Sequence, residues 1–223
     1  MTARMLFGLT LVFSFPTTAV ARQADTQTPA PQPACELHFW PASSVNTYPR
    51  PAAAQGGPVW SLLLGGKKRA EGLQGIRSDI ASSLDAQGSM LALGKGDLAA
   101  RLGLSSATIV VHEQRIEPGS NLDRIQTRRT SSGSRCYSEL VVTGILYKAG
   151  SWGGHFLDSS FELREFGAGS EPSRVFRGGG SIKLIRYPAA EGQDTEAASA
   201  ELNSAFRQGF DKFAGKVRTD GAR

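Results

Sequence analysis

The sequence predicts an α+β domain in which helices pack on a largely antiparallel sheet, with a C-terminal three-strand meander and a closing helix. Three β-rich runs, Cys136 to Lys148, His155 to Phe166 and Arg174 to Tyr187, are joined only by the Gly/Ser-rich links "AGSWGG" and "GAGSEPS". Consecutive strands with short turn-rich links read as antiparallel hairpins. After them, Leu202, Phe206, Phe210, Phe213 and Val217 recur at helical spacing, one apolar stripe, while the other face carries Glu201, Arg207, Asp211, Lys212 and Lys216. Finally, the order strand, helices, strand, three strands, helix lacks the regular alternation of a doubly wound parallel fold.

The chain has 223 residues and opens on "MTARMLFGLTLVFSFPTTAVARQ". Arg4, an apolar run from Met5 to Phe15, the breaker Pro16 and Ala19-Val20-Ala21 follow the charged, apolar and small-residue order of a secretory signal peptide. Cleavage is expected after Ala21, and the apolar run is too short for a permanent membrane span. No cysteine follows the run immediately, so lipid attachment is not indicated. Residues 22–34, rich in Pro, Gln and Thr, lack the apolar side chains that would offset ordering entropy and read as a flexible leader. Residues 35–218 suit one domain, and 219–223 read as a disordered tail.

Within the domain, "CELHFW" alternates Cys35, Leu37 and Phe39 against Glu36, His38 and Trp40, a strand pattern. The Pro/Gly/Ala-rich stretch from Pro41 to Pro58 reads as an irregular surface loop, and "VWSLLLGG" is apolar without a clear period. Ile76, Ile80 and Leu84 form one helical face across "GIRSDIASSLDAQG", expected to stop at Gly88. "DLAARLGL" reads as a second short helix with Asp97 as N-cap. Ala107 to Ile116, β-branched at its centre, reads as a strand, and residues 117–135 are polar and turn-rich without an assigned element.

Net charge is +5, and removing the signal peptide with Arg4 and no acid leaves 5 − 1 = +4. Basic residues gather at Lys67-Lys68-Arg69 and at Arg124, Arg128 and Arg129, without the interleaved aromatics of a nucleic-acid platform. These clusters read as solvated surface; the functional alternative is an anionic envelope component such as a lipid headgroup or wall polymer. No nucleic-acid partner and no membrane span in the mature chain are expected.

"SELVVTGILYKAG", "HFLDSSFELREFG", "RVFRGGGSIKLIRYP" and the closing helix resemble, in their order, small envelope accessory domains of Gram-negative bacteria. Examples are the curli-secretion lipoproteins and the lipoprotein activators of wall-synthesis enzymes. The resemblance covers Ser138 to the end of the chain, rests on pattern, and departs from those lipoproteins in lacking a lipidated cysteine. The whole chain resembles uncharacterised exported proteins of such bacteria, which imply no activity residue by residue.

The motifs of chemistry are sparse. "RGGGSIK" lacks the lysine directly after the last glycine that a phosphate loop needs, and a β-rich run rather than a helix follows it. Gly178 to Gly180 therefore read as a bulge, a bend or a close backbone approach. No G-x-S-x-G is present. His38, His112 and His155 are far apart and form no close ligand pair, so no metal site, cofactor site or catalytic residue is assigned. Glu139, Glu162 and Glu165 read as a solvated outer face, although paired carboxylates for glycoside cleavage need only meet in space. Trp152, in a Gly-rich tip, is the candidate partner anchor.

Cys35 and Cys136 are the only two cysteines, and export places them in an oxidising compartment, so a disulfide between them is expected. Two buried thiols, or pairing between chains, are the alternatives. The functional expectation is an exported, non-catalytic accessory or binding protein of the bacterial envelope, periplasmic or secreted, with an envelope protein or anionic envelope component as partner. Its rival is a small periplasmic hydrolase whose site assembles only in space.

Overall fold

A computed structural model describes residues 35–48, 59–104, 106–117, 119–149, 154–167, 169–190 and 192–221, with backbone alone for 59–70. The expected signal peptide, the leader, residues 49–58 and Trp152 lie outside the described residues.

Six strands form one sheet: β1 Cys35–Trp40, β2 Val45–Tyr48, β3 Ala107–Val111, β4 Tyr137–Ala149, β5 His155–Phe166 and β6 Pro172–Leu184. Their order is β3-β1-β4-β5-β6, and β2 pairs with the far half of β4. Pairings β4-β5 and β5-β6 are antiparallel, whereas β1-β3, β1-β4 and β2-β4 are parallel. The sheet is therefore mixed, which corrects the largely antiparallel expectation, and its order differs from a plain meander because β4 lies between β1 and β5. The physical reason is the long connection after β2: α1 Val59–Ser83, α2 Ala86–Leu93 and α3 Leu98–Arg101 supply the crossover that a parallel return requires. β1 and β2 run end to end along β4, matching Tyr137 to Val141 and then Ile145 to Lys148. Between those halves the β4-β5 register shifts at Val142/Gly144, a bulge that re-aims the strand.

Strand alternation gives each face its content. Leu37, Phe39, Leu140, Val142, Ile145, Tyr147, Leu157, Phe161 and Leu163 belong to one buried core with Ile80, Leu84, Met90, Leu93 and Leu98 from the first helices. The closing helix, α5 Thr195–Gly221, adds Leu202, Phe206, Phe210, Phe213 and Val217 to that core. The rings of Phe206, Phe210 and Phe213 stand 5.6, 5.4 and 5.5 Å from that of Phe161. Among the described residues no helix is long and apolar enough to cross a membrane.

The glycine run lies within β6, directly beneath α5. A Cβ on Gly180 would stand 2.9 Å from Gly209 Cα, and one on Gly178 would stand 3.3 Å from the Phe213 ring. The close backbone approach is thus the reading that holds for "RGGGSIK".

Helix ends depart from expectation in two places. The first helix stops at Ser83, and Gly88 lies inside α2, where its N–H donates to the Asp85 side chain at 2.8 Å. An N-cap acceptor outcompetes the glycine as punctuation here. Asp97 holds the N-cap position of α3 as expected, but makes no side-chain cap hydrogen bond.

Candidate functional site

The second face of the sheet is a buried polar layer. It carries Glu36, His38 and Trp40 on β1, Tyr137, Glu139 and Val141 on β4, and Glu162, Arg164 and Phe166 on β5. Over it runs the segment between β3 and β4, with the single turn α4 Asn121–Arg124 started by Ser120, whose hydroxyl accepts from Asp123 N–H at 3.2 Å. Ile116 of this cover packs with Trp40, Val141 and Leu122.

Glu139 holds the cover down. Its side chain is 0% exposed, which corrects the solvated reading. It accepts from Arg129 N–H at 2.7 Å, Arg129 Nη1 at 2.5 Å, Tyr137 Oη at 2.9 Å and Arg164 Nη1 at 3.1 Å. Two arginines give the group one positive charge in excess. Further donors go to main-chain carbonyls of the cover: Arg164 to Ile125 at 3.1 Å, Thr127 at 3.2 Å and Gln126, and Arg129 Nε to Leu122 at 3.0 Å. Such pairing is what lets charge stay buried. Burial pulls the Arg164 guanidinium below its ordinary value, against the pull of Glu139, and pushes the Tyr137 hydroxyl up.

Arg128 closes the far end. It donates to the carbonyls of Gly167 at 2.7 Å, Gly169 at 3.1 Å, Ser134 at 2.9 Å and Ser132 at 3.3 Å, and stacks over the Tyr137 ring at 5.0 Å. Arg128 and Arg129 are thus turned inward, contrary to the surface reading; Arg124 is exposed.

Beside the clasp a polar chain runs across three elements. The Ser132 hydroxyl donates to Glu36 Oε2, Glu36 Oε2 lies 3.0 Å from His38 Nε2, and His38 Nδ1 lies 2.8 Å from His112 Nε2. His112 stacks on Trp40, centroids 4.2 Å apart and planes within 5°. Hydrogen bonds from His38 and Ser132 hold the Glu36 carboxyl below its ordinary range, and burial together with the neighbouring His38 holds His112 below its own. The two histidines that looked unrelated in sequence therefore meet. Among the described residues no group of three or more His, Cys, Asp or Glu is placed to hold a metal ion.

A cleft of about 190 Å³ opens at the edge of the cover, lined among others by Asp123, Arg129, Glu162, Arg164 and Arg177. Glu162 accepts from Arg177 Nε at 2.6 Å. Glu165 belongs to a separate pair with Arg174 at 2.7 Å, so the three glutamates do not share a site. His155 Nδ1 lies 2.6 Å from Tyr147 Oη, and Asp158 pairs with Lys148. Cys35 and Cys136 are bonded, with Cα atoms 4.8 Å apart, and so staple the start of the β1-β4 pair.

Sequence reasoning named Glu139 only as an outer-face or paired carboxylate, and missed Arg164 and the His38-His112 pair. The available signal was the position of both histidines on β-rich runs, informative only once those runs are laid parallel.

No known family model matches the chain, and no curated protein matches it. Solved structures that it resembles include protein XCC0632 from Xanthomonas campestris, described as family DUF330. The two are 10% identical with a TM-score of 0.36, over 88% of this chain and 93% of that one; at that similarity nothing about this chain follows from it.

Proposed function

We propose that the chain is an exported, non-catalytic accessory or binding protein of the bacterial envelope, periplasmic or secreted, with an envelope protein or an anionic envelope component as partner. The observation that supports this reading is the clasp. Glu139, Arg129 and Arg164 are paired with one another and with cover carbonyls, so three charged groups with buried side chains hold a surface segment in place. A general acid or base needs a free position facing substrate, and a saturated carboxylate offers none. The signal-like N-terminus and the Cys35-Cys136 bond support export. The rival hydrolase draws on Asp123 and Glu162, which line one cleft.

Expression of the full chain in a Gram-negative host separates the two. The osmotic-shock fraction should contain a protein lacking residues 1–21 and two hydrogens, inert towards ester, peptide and glycoside panels. Full-length protein confined to the cytoplasm would overturn export. Turnover lost in both Asp123→Asn and Glu162→Gln would install the hydrolase.

A further inference from the structure

The chain of hydrogen bonds from Glu36 to His112 can hold only a limited number of protons. A carboxylate accepts, so His38 Nε2 carries the hydrogen at the 3.0 Å contact with Glu36. The facing nitrogens, His38 Nδ1 and His112 Nε2, are 2.8 Å apart and the ring centroids 5.1 Å apart, so the rings meet nitrogen to nitrogen. One hydrogen fits in that gap. The pair is neutral with His112 Nδ1 bare, and it accepts one proton there while keeping the shared hydrogen. A second proton makes both rings imidazolium, and two N–H groups then point at each other across 2.8 Å.

Nothing nearby relieves that state. His38 is 5% exposed and lies against Trp40 and Tyr137, centroids 5.9 and 4.6 Å away, so water does not replace the lost bond. The charged and titratable neighbours are Glu36 on β1, Tyr137 and Glu139 on β4, and Arg128 and Arg129 in the cover. Glu36 already balances the first proton, and Glu139 is committed to two arginines. Arg129 lies over the Trp40 ring at 5.9 Å and adds positive charge.

The element that must give is the cover. His112 N–H donates to Phe39 O at 2.9 Å as the last link of the β1-β3 ladder, and Ile116 begins the apolar seam on Trp40 and Val141. We propose that the His38-His112 pair is an acid-sensitive latch: the second proton expels His112, releases the cover from His112 through Ile116, and opens the cleft beside Arg164. The latch is independent of the functional reading above, since it requires neither catalysis nor a particular partner.

The test is hydrogen exchange by mass spectrometry on the mature, oxidised protein from pH 8 to pH 4.5, with rates corrected for the intrinsic pH dependence. Peptides covering residues 107–117 should lose protection by up to tenfold per pH unit once the second proton binds. Peptides covering 206–217 should keep theirs. His112→Gln, which still donates to His38 but does not titrate, should abolish the acid step. Retention of the same step in that variant, or wild-type protection of 107–117 that does not change with pH, would overturn the latch. Should the variant not fold at pH 8, wild type decides alone: the loss must coincide with the second protonation of the pair, followed in the ring protons of both His38 and His112 by NMR, and an onset displaced by more than one pH unit refutes the proposal.

Discussion

Gly180 and Gly209 meet backbone to backbone: a Cβ on the strand glycine would stand 2.9 Å from the helix Cα. Glycine inside a helix costs about 1 kcal/mol against alanine, so Gly209 is tolerated for the approach it permits. Gly209→Ala should therefore destabilise by roughly 1 to 3 kcal/mol despite its better propensity, because its Cβ would collide with the Ser159 side chain. Gly72→Ala, in α1 with nothing within 4 Å, should instead stabilise by up to about 1 kcal/mol. Urea midpoints of the two variants should move in opposite directions.

Phe210 is fully buried between Phe161 and the Arg101 guanidinium, which lies 4.9 Å from its ring centroid. Phe210→Ala should cost about 3 to 5 kcal/mol, a large share of a domain's usual stability. Unchanged thermal stability combined with lost binding to anionic vesicles would instead make this face of α5 a membrane surface.

Glu139→Gln keeps the shape of the clasp and removes its only buried negative charge against two arginines. Breaking such a group by one partner costs about 3 to 5 kcal/mol. The loss should appear in chemical denaturation, and hydrogen exchange should rise first in residues 125–129, whose backbone the clasp holds.

Acid should weaken the fold in two stages. His112 is held below its ordinary value of 6.5, so the unfolded chain takes up that proton first and stability falls as pH drops below about 6.5. Glu36 is held below 4.5, so its contribution, present above 4.5, is lost as pH falls further through its folded value. Alkali acts through Tyr147, which burial pushes up to about 12; its contribution declines as pH rises from 10 towards that value. Urea midpoints at pH 7.5, 5.5 and 4 should decrease in that order, and a midpoint that rises on acidification would contradict the assignment.

What could be read from the sequence was local. Phe206, Phe210 and Phe213 declare a helix because their spacing is a property of neighbouring residues, and β5 coincides with its sequence run because short Gly/Ser links bound it. Parallel pairing has no such mark: His38 and His112 are joined across 74 positions, and the β-rich runs that carry them in sequence look the same whichever way they lie. Alternation placed Glu139 on the second face but said nothing of what lies above it. The cover hid its role because its polar side chains, which in sequence signal solvent, turn inward to bond the sheet and the turns beside it.

The staple between Cys35 and Cys136 also sets an order of events. Its partners are 101 positions apart, so a chain emerging from its N-terminus presents a lone thiol until all of α1, α2, α3 and β3 has followed. For most of that interval β1 lacks both of its neighbours, β3 arriving only shortly before Cys136, and contacts of such long sequence separation form slowly. Once Cys136 arrives, β4, β5, β6 and α5 all lie outside the closed ring and remain free to assemble against it. The finished molecule is thus a covalent loop followed by a C-terminal segment, residues 137–223, that the bond does not enclose.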